Sequence, residues 1–403
     1  MFAFTRRIIY LATASALAFV TACQEPATLV APTTSPAALG AKTNDTQALA
    51  TVRWNEIARS MVMKYNTSAP ATIRLFALLT VSQYNSIVEA DKTRERSLRA
   101  ADNGSIAGAS ATVLSYVYPQ EAAYFESLVD EGKVSFGELD AKHQNFEMGE
   151  AVGRTIAAGI VDRAKTDRFF DPFTGTVPTC DGCWLPTTPP AFATLGKAKP
   201  FMLASANQFR PAPPPAFNSA EFVAALAEVR QIADTRTKAQ DSIAKFWALG
   251  AGTVSAQGYL NMVASNLVVK YDLSEREAAH TLALLNISAF DAIIASHEAK
   301  YHYWLIRPSQ ADAMIVRAIG LPSFPSYPSN HSALVASAAE VLGAMFPGER
   351  AELDAMADEG ALSRLYGGIH YRFDTEAGKA LGRRVASWTL SHDVHGKKPF
   401  VLQ

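Results

Sequence analysis

The sequence predicts an all-α fold made of two related helical bundles, and three observations carry that expectation. Most of the chain shows helical apolar periodicity enriched in Ala and Leu, the pattern of helices that each bury one face. Long alternating β patterns are absent. The chain also resembles itself: R-L-F-A-L-L-T-V-S-Q-Y-N-S-I-V at 74–88 aligns without gaps on H-T-L-A-L-L-N-I-S-A-F-D-A-I-I at 280–294. A-S-A-T-V-L-S-Y-V-Y-P from Ala109 then matches S-A-A-E-V-L-G-A-M-F-P from Ser337, and Ala151, Gly153 and Arg154 match Ala380, Gly382 and Arg383. Ala-rich amphipathic helices look alike by composition alone, but two matches in the same order along the chain favour a duplicated bundle.

Residues 1–22 read as a lipoprotein signal peptide. Arg6 and Arg7 form its charged region, and an apolar run from Ile8 ends in Val20-Thr21-Ala22-Cys23. A run this short falls below the ~20 residues that span a bilayer. Cleavage before Cys23 and lipidation of its thiol is the preferred reading, a plain signal peptide the alternative. Residues 23–50, rich in Ala, Thr, Pro and Gln without periodicity, suit a flexible tether. The protein is therefore expected to be exported and membrane-anchored through an N-terminal lipid, facing the periplasm or cell exterior. No other apolar segment is read as long enough to span a bilayer, so the body is expected to be soluble. A net charge of −1 argues against nucleic acid as a partner. The oligomeric state stays open.

The first bundle is expected over 51–170 and the second over 216–403. Between them, residues 171–215 hold ten of the 21 prolines, a density that excludes helix. This stretch is either a passive linker or an ordered lid, in which Trp184, Phe201, Phe209 and Arg210 could cover a substrate entrance. It contains Cys180 and Cys183, the two cysteines other than Cys23. In an exported compartment they favour a small structural disulfide over a redox dithiol or a zinc site.

The second bundle carries K-Y-H-Y-W-L-I-R-P from Lys300, P-S-N-H from Pro328, and S-R-L-Y-G-G-I-H-Y-R-F-D from Ser363. Lys300 and Arg307 are read as two turns apart on one helix face, pointing into one pocket. Arg364 adds a planar fork suited to oxyanions. Ser329, Asn330 and His331 stand before an apolar helix whose N–H groups make an anion site, although Ser329 could simply cap that helix. His370 and Asp374, four apart, are read as one helix turn in which the carboxylate orients the imidazole. Gly367 and Gly368 would let backbone approach the anion. His297 and His302 either line the pocket or pack. No dense Asp/Glu/His cluster suggests a divalent-metal phosphatase.

These three stretches match in type, order and spacing the signature of one large group. The chain resembles the type 2 phosphatidic acid phosphatase and vanadium-dependent haloperoxidase superfamily, in its double-bundle, haloperoxidase-like branch. It departs at Asn330, where the motif usually has glycine, which touches the backbone beside the anion. In the first copy the positions matching Ser329, His331 and His370 are Ala101, Asn103 and Ala141. Only the second copy can then be catalytic.

The resemblance implies Lys300, Arg307, Ser329, Asn330 and Arg364 as phosphate or vanadate ligands. The main reading is a phosphatase without cofactor, acting on a small phosphorylated substrate. His370 attacks phosphorus to give a phosphohistidine, and His331 protonates the leaving oxygen and then activates water. The alternative is a haloperoxidase with vanadate as cofactor and with peroxide and halide as substrates. His370 is then the axial ligand of vanadium and His331 the acid/base. A third possibility is anion binding without turnover.

Overall fold

The computed structural model describes residues 49–92, 99–135, 141–186, 188–250, 252–393, 396 and 398–400. The signal peptide, Cys23 and the tether up to residue 48 lie outside the described residues. Thirteen α-helices and no β-strand occur among the described residues, apart from an isolated bridge between Cys183 and Leu305.

The helices fall into two matching series. In the first, α1 (Ala50–Lys64), α2 (Ala69–Lys92) and α3 (Arg99–Val117) lead through the 3₁₀ turn Pro119–Glu121 to α4 (Ala122–Val134) and α5 (Ala141–Lys165). Two further helices, α6 (Ala220–Thr235) and α7 (Lys238–Phe246), come before the second series. There α8 (Ser255–Lys270), α9 (Glu275–Tyr303), the single turn α10 (Pro308–Ala311) and α11 (Asn330–Met345) lead through Pro347–Glu349 to α12 (Arg350–Tyr366) and α13 (Arg372–Ser391). The self-similar stretches of the sequence fall on α2 and α9, on α3 and α11, and on α5 and α13.

Glycines show why these pairs cross so closely. A Cβ on Gly149 would lie 2.0 Å from the Ala101 carbonyl oxygen, and one on Gly153 would lie 2.1 Å from that of Ser105. In the second series a Cβ on Gly378 would meet Ser329 O at 2.4 Å, and one on Gly382 would meet Ala333 O at 2.1 Å. Backbone touches backbone at equivalent places in α3–α5 and α11–α13. One apolar core joins the series, with Leu78, Tyr84 and Phe125 on one side and Leu284, Phe290 and Leu342 on the other. All belong to one compact unit, Thr46–Gln403.

At the centre runs α9, started by a capping box in which Ser274 and Glu277 exchange bonds. Contrary to the sequence reading, this 29-residue helix is long and apolar enough to cross a membrane; its most apolar 18-residue window is wholly buried inside the fold. It is a core helix whose neighbours replace lipid.

Residues 171–215 form no α-helix, only a 3₁₀ turn at Leu195–Lys197. They are tied along the second series. Buried Asp291 of α9 accepts N–H bonds from Phe201 (2.7 Å), Met202 (2.7 Å) and Leu203 (3.0 Å). Tyr303 and Tyr327 donate to the carbonyls of Pro211 and Ala212. Trp184 and Phe201 are core residues, Phe209 packs on Trp388, and Arg210 pairs with Glu298. Cys180 and Cys183 are joined in a disulfide.

Candidate active site: a buried oxyanion cradle

Lys300 lies in the last turn of α9, but Arg307 is not on that helix. The expected two-turn spacing fails because Trp304 takes the left-handed conformation (φ 52°, ψ 29°) and ends α9 at Tyr303. A non-glycine residue pays a conformational cost there. Trp304 is held by the Trp184 N–H, which donates to its carbonyl at 2.6 Å, and by the Trp184 and Tyr301 rings. Arg307 follows in extended backbone as N-cap of α10, with Pro308 at the first helical position.

One loop reunites the two cations. Lys300 Nζ donates to Pro325 O (2.9 Å) and Ser326 O (2.7 Å), and Arg307 Nε donates to Phe324 O (3.0 Å). Both charges lie 5.2 Å from the Phe324 ring centre, within cation–π range. Two of the three Lys300 protons are used, which leaves one donor. Arg307 Nη1 donates to Ile369 O (2.8 Å) and to His370 Nε2 (3.0 Å).

The sequence reading also misplaced His370, which precedes α13 instead of sharing a helix turn with Asp374. Tyr371 is the N-cap and Asp374 the third helical residue. The capping turn brings the pair together all the same. Asp374 Oδ2 accepts from His370 Nδ1 (2.8 Å), Ser326 Oγ (2.5 Å) and the Tyr371 N–H (3.1 Å). This network assigns the proton to Nδ1 and makes Nε2 the acceptor of the Arg307 Nη1 bond. Burial, with Arg307, Lys300, Arg364 and His331 nearby, holds His370 well below the usual imidazole range, so it stays neutral. Burial pushes Asp374 up to about 6, against the pull of Ser326, Lys300 and Arg307. Burial also brings Arg307 down to about 10 and Arg364 to about 9, and it lowers Lys300, with Arg307 adding to the effect.

At α11, Ser329 does cap the helix. Its Oγ accepts from the Ser332 N–H (3.2 Å) and Ser332 Oγ (2.9 Å), so its own proton remains to be donated. The Ser329 N–H bonds Asp374 O at 2.9 Å, following a cis Tyr327–Pro328 bond. The Asn330 side chain is engaged by Ser296 Oγ and lies 3.3 Å from the His297 ring nitrogens. What Asn330 offers an anion is its first-turn N–H. The His331 ring packs edge-on to Trp247, centroids 5.6 Å apart. Burial and Arg364 hold it well below the usual range. Arg364, in α12, spends its Nε on Ser363 Oγ at 2.9 Å.

Arg307 Nη2, Arg364 Nη2 and His331 Nε2 are buried without a partner among the described residues. Buried polar groups are normally satisfied. Two guanidinium donors and an imidazole, from three different elements and close enough to perturb one another, fit a tetrahedral oxyanion such as phosphate or vanadate.

Among the other sequence candidates, His297 is buried and donates Nδ1–H to Ile293 O at 2.9 Å; burial, then Lys300, brings it down to about 3. It borders a cavity of about 420 Å³ shared with Lys197, Asn207, Tyr301 and exposed His302. Gly368 serves the turn into His370 with φ +72°, and a Cβ on Gly367 would press on the Ile319 side chain at 2.7 Å. Neither is placed against the cradle donors by these contacts. Phe324, Ser326, Trp247 and Gln310 escaped the sequence reading. Ser326, three residues before Ser329, and Gln310, two after Pro308, lay near recognised motifs.

A duplicated all-α scaffold with one buried oxyanion cradle defines the class. The family model for the VCPO second helical-bundle domain matches residues 349–395. A bacterial vanadium-dependent iodoperoxidase structure superposes with a TM-score of 0.71 at 25% identity, covering 85% of this chain and 95% of that one. Apo and holo structures of a bacterial vanadium-dependent chloroperoxidase give TM-scores of 0.67 and 0.66, both at 13% identity. They cover 83% and 81% of this chain and 95% and 92% of theirs. The search of curated proteins finds no match. In its overall fold and in the segment 349–395 the chain is similar to the vanadium haloperoxidases.

Proposed function

We propose that this protein is a vanadium-dependent haloperoxidase, the alternative rather than the main reading of its sequence. The observation that carries it is likeness over both helix series, and not only over the motif region, to a vanadium-dependent iodoperoxidase at 25% identity. The two unpartnered guanidinium donors and the unpartnered His331 Nε2 agree with it.

Lys300, Arg307, Arg364, the Ser329 hydroxyl and the first N–H groups of α11 would hold vanadate, with His370 Nε2 facing it. When bound, vanadate supplies a Lewis-acid centre that activates hydrogen peroxide towards halide. The protein supplies placement and charge. Asp374 fixes the His370 tautomer and ring direction through the 2.8 Å bond to Nδ1. The three buried cations offset the charge of an oxyanion in a site of low dielectric. His331, kept neutral and steadied by Trp247, is the group at the cradle able to take up and return a proton at Nε2. The signal pattern of residues 1–22 and Cys23 supports export and lipid tethering.

The phosphatase reading keeps one specific support, the neutral, oriented Nε2 of His370, which is equally a nucleophile towards phosphorus. Purified protein loaded with orthovanadate is assayed for halide oxidation by hydrogen peroxide, and without vanadate for p-nitrophenyl phosphate hydrolysis. Vanadate-dependent oxidation is expected. Vanadate-inhibited hydrolysis with no halide oxidation would sink the haloperoxidase reading in favour of the phosphatase.

A further inference from the structure

The C-D-G-C loop, read from sequence as a structural staple in the connector, lies against the strand of chain that delivers Arg307. The Trp184 N–H donates to Trp304 O at 2.6 Å and the Ile306 N–H to Gly182 O at 2.9 Å, with Cys183 bridged antiparallel to Leu305. Gln310 extends the pairing. Its Nε2 donates to Leu185 O, while its Oε1 accepts from the Leu185 N–H (3.4 Å) and the Arg307 N–H (3.3 Å). Residues 182–185 thus grip both sides of Arg307, whose side chain places one of the cradle's unpartnered donors, Nη2.

Gly182 holds φ +77° at the tip of the loop, a conformation open to glycine, which has no Cβ. Cys180 is exposed and Cys183 buried at 6%. We propose that the Cys180–Cys183 loop is a positioning clamp for Arg307, so that the thiol–disulfide state of the loop sets the affinity of the cradle for its oxyanion. The inference rests on the cradle reading.

The redox step balances as ordinary exchange. A thiolate of an external dithiol attacks the Cys180 sulfur, the S–S bond breaks, and the electron pair leaves with the Cys183 sulfur, which takes a proton. The second thiol of the reductant then displaces Cys180 as a thiol and leaves as a cyclic disulfide. In reverse, two thiols and one hydrogen peroxide give the disulfide and two waters. The oxidant of the proposed reaction would therefore tighten the clamp on its own site.

The test is titration of the full chain with inorganic phosphate and with orthovanadate, by calorimetry, in three forms. These are the oxidised protein, the same protein reduced and freed of reductant, and Cys180→Ser/Cys183→Ser. Reduction and the double substitution are expected to weaken binding about tenfold, the scale of misplacing one charge-assisted hydrogen bond. Gln310→Ala is expected to weaken it in the same direction with the disulfide intact, which keeps the proposal open to refutation if the double variant does not fold. Equal dissociation constants in oxidised and reduced protein overturn the clamp, even if the melting temperature falls, because a purely structural staple moves stability alone. An oxidised protein that binds neither anion overturns the cradle itself.

Discussion

In the first helix series α3 and α5 meet where Gly149 faces the Ala101 carbonyl and Gly153 that of Ser105; in the second, α11 and α13 meet where Gly378 faces Ser329 and Gly382 faces Ala333. The crossings are the same, yet what stands beside them differs. Ala101, Asn103 and Ala141 occupy the places of Ser329, His331 and His370. Moreover α2 ends at Lys92 and α3 begins at Arg99, whereas residues 304–329 separate α9 from α11 and bring Arg307, Phe324 and Ser326. The crossing is a property of scaffold, set by glycines. What differs is a few side chains and one long connection.

The sharpest way to break this comparison is His370→Ala. It is expected to lower whichever turnover exists by at least ~10³-fold, within the range of lost acid–base or nucleophilic groups. Asn103→Ala in the first copy should leave turnover within about twofold, because function lives in the site and not the fold. Comparable losses in the two variants, measured as kcat, would mean that the copies share the work.

Next in size is Arg307→Lys, which keeps charge but loses the fork that reaches Phe324, Ile369 and His370. Orthovanadate affinity should fall roughly 10–100-fold by titration. Gly149→Ala and Gly378→Ala test the seams directly, since each Cβ would collide with a carbonyl. Each should cost about 1–3 kcal/mol in denaturant unfolding. Only Gly378→Ala should also weaken anion binding, because it displaces Ser329, and equal binding in both variants would contradict the asymmetry.

Ser326→Ala is the mildest. Asp374 stands at about 6 and must be ionised to hold the His370 proton, so activity should fall as pH drops through that value. The Ser326 hydrogen bond pulls Asp374 down. Its loss should raise the midpoint of the acid limb in a pH–rate profile and lower the plateau several-fold. An unmoved midpoint would separate Ser326 from the carboxylate.

The second-copy motif, the duplication and the helical class were all legible in sequence, because each is written in local spacing. Lys300, Arg307, Ser329, His331, Arg364, His370 and Asp374 are buried near one another, linked by hydrogen bonds or by their mutual electrostatic effects. The errors came where local pattern and tertiary contact compete. K-Y-H-Y-W-L-I-R reads as continuous helix, yet Trp304 is turned left-handed by contacts with Trp184, 120 residues earlier. His370 and Asp374 have helix spacing, but a capping turn brings residues of the same spacing together equally well. Phe324 and Trp247 carry no local signal, since an aromatic beneath a cation is defined by what folds over it.

Asp291 has a second consequence, outside the folded state. By length and composition α9 could be taken for a membrane span, and any chain that meets a bilayer before α9 is covered risks lodging there. A carboxylate near the middle of such a helix raises the insertion free energy by about 2.5–3.5 kcal/mol. The residue that fastens Phe201, Met202 and Leu203 to the fold thus also disfavours insertion of the uncovered helix into a bilayer.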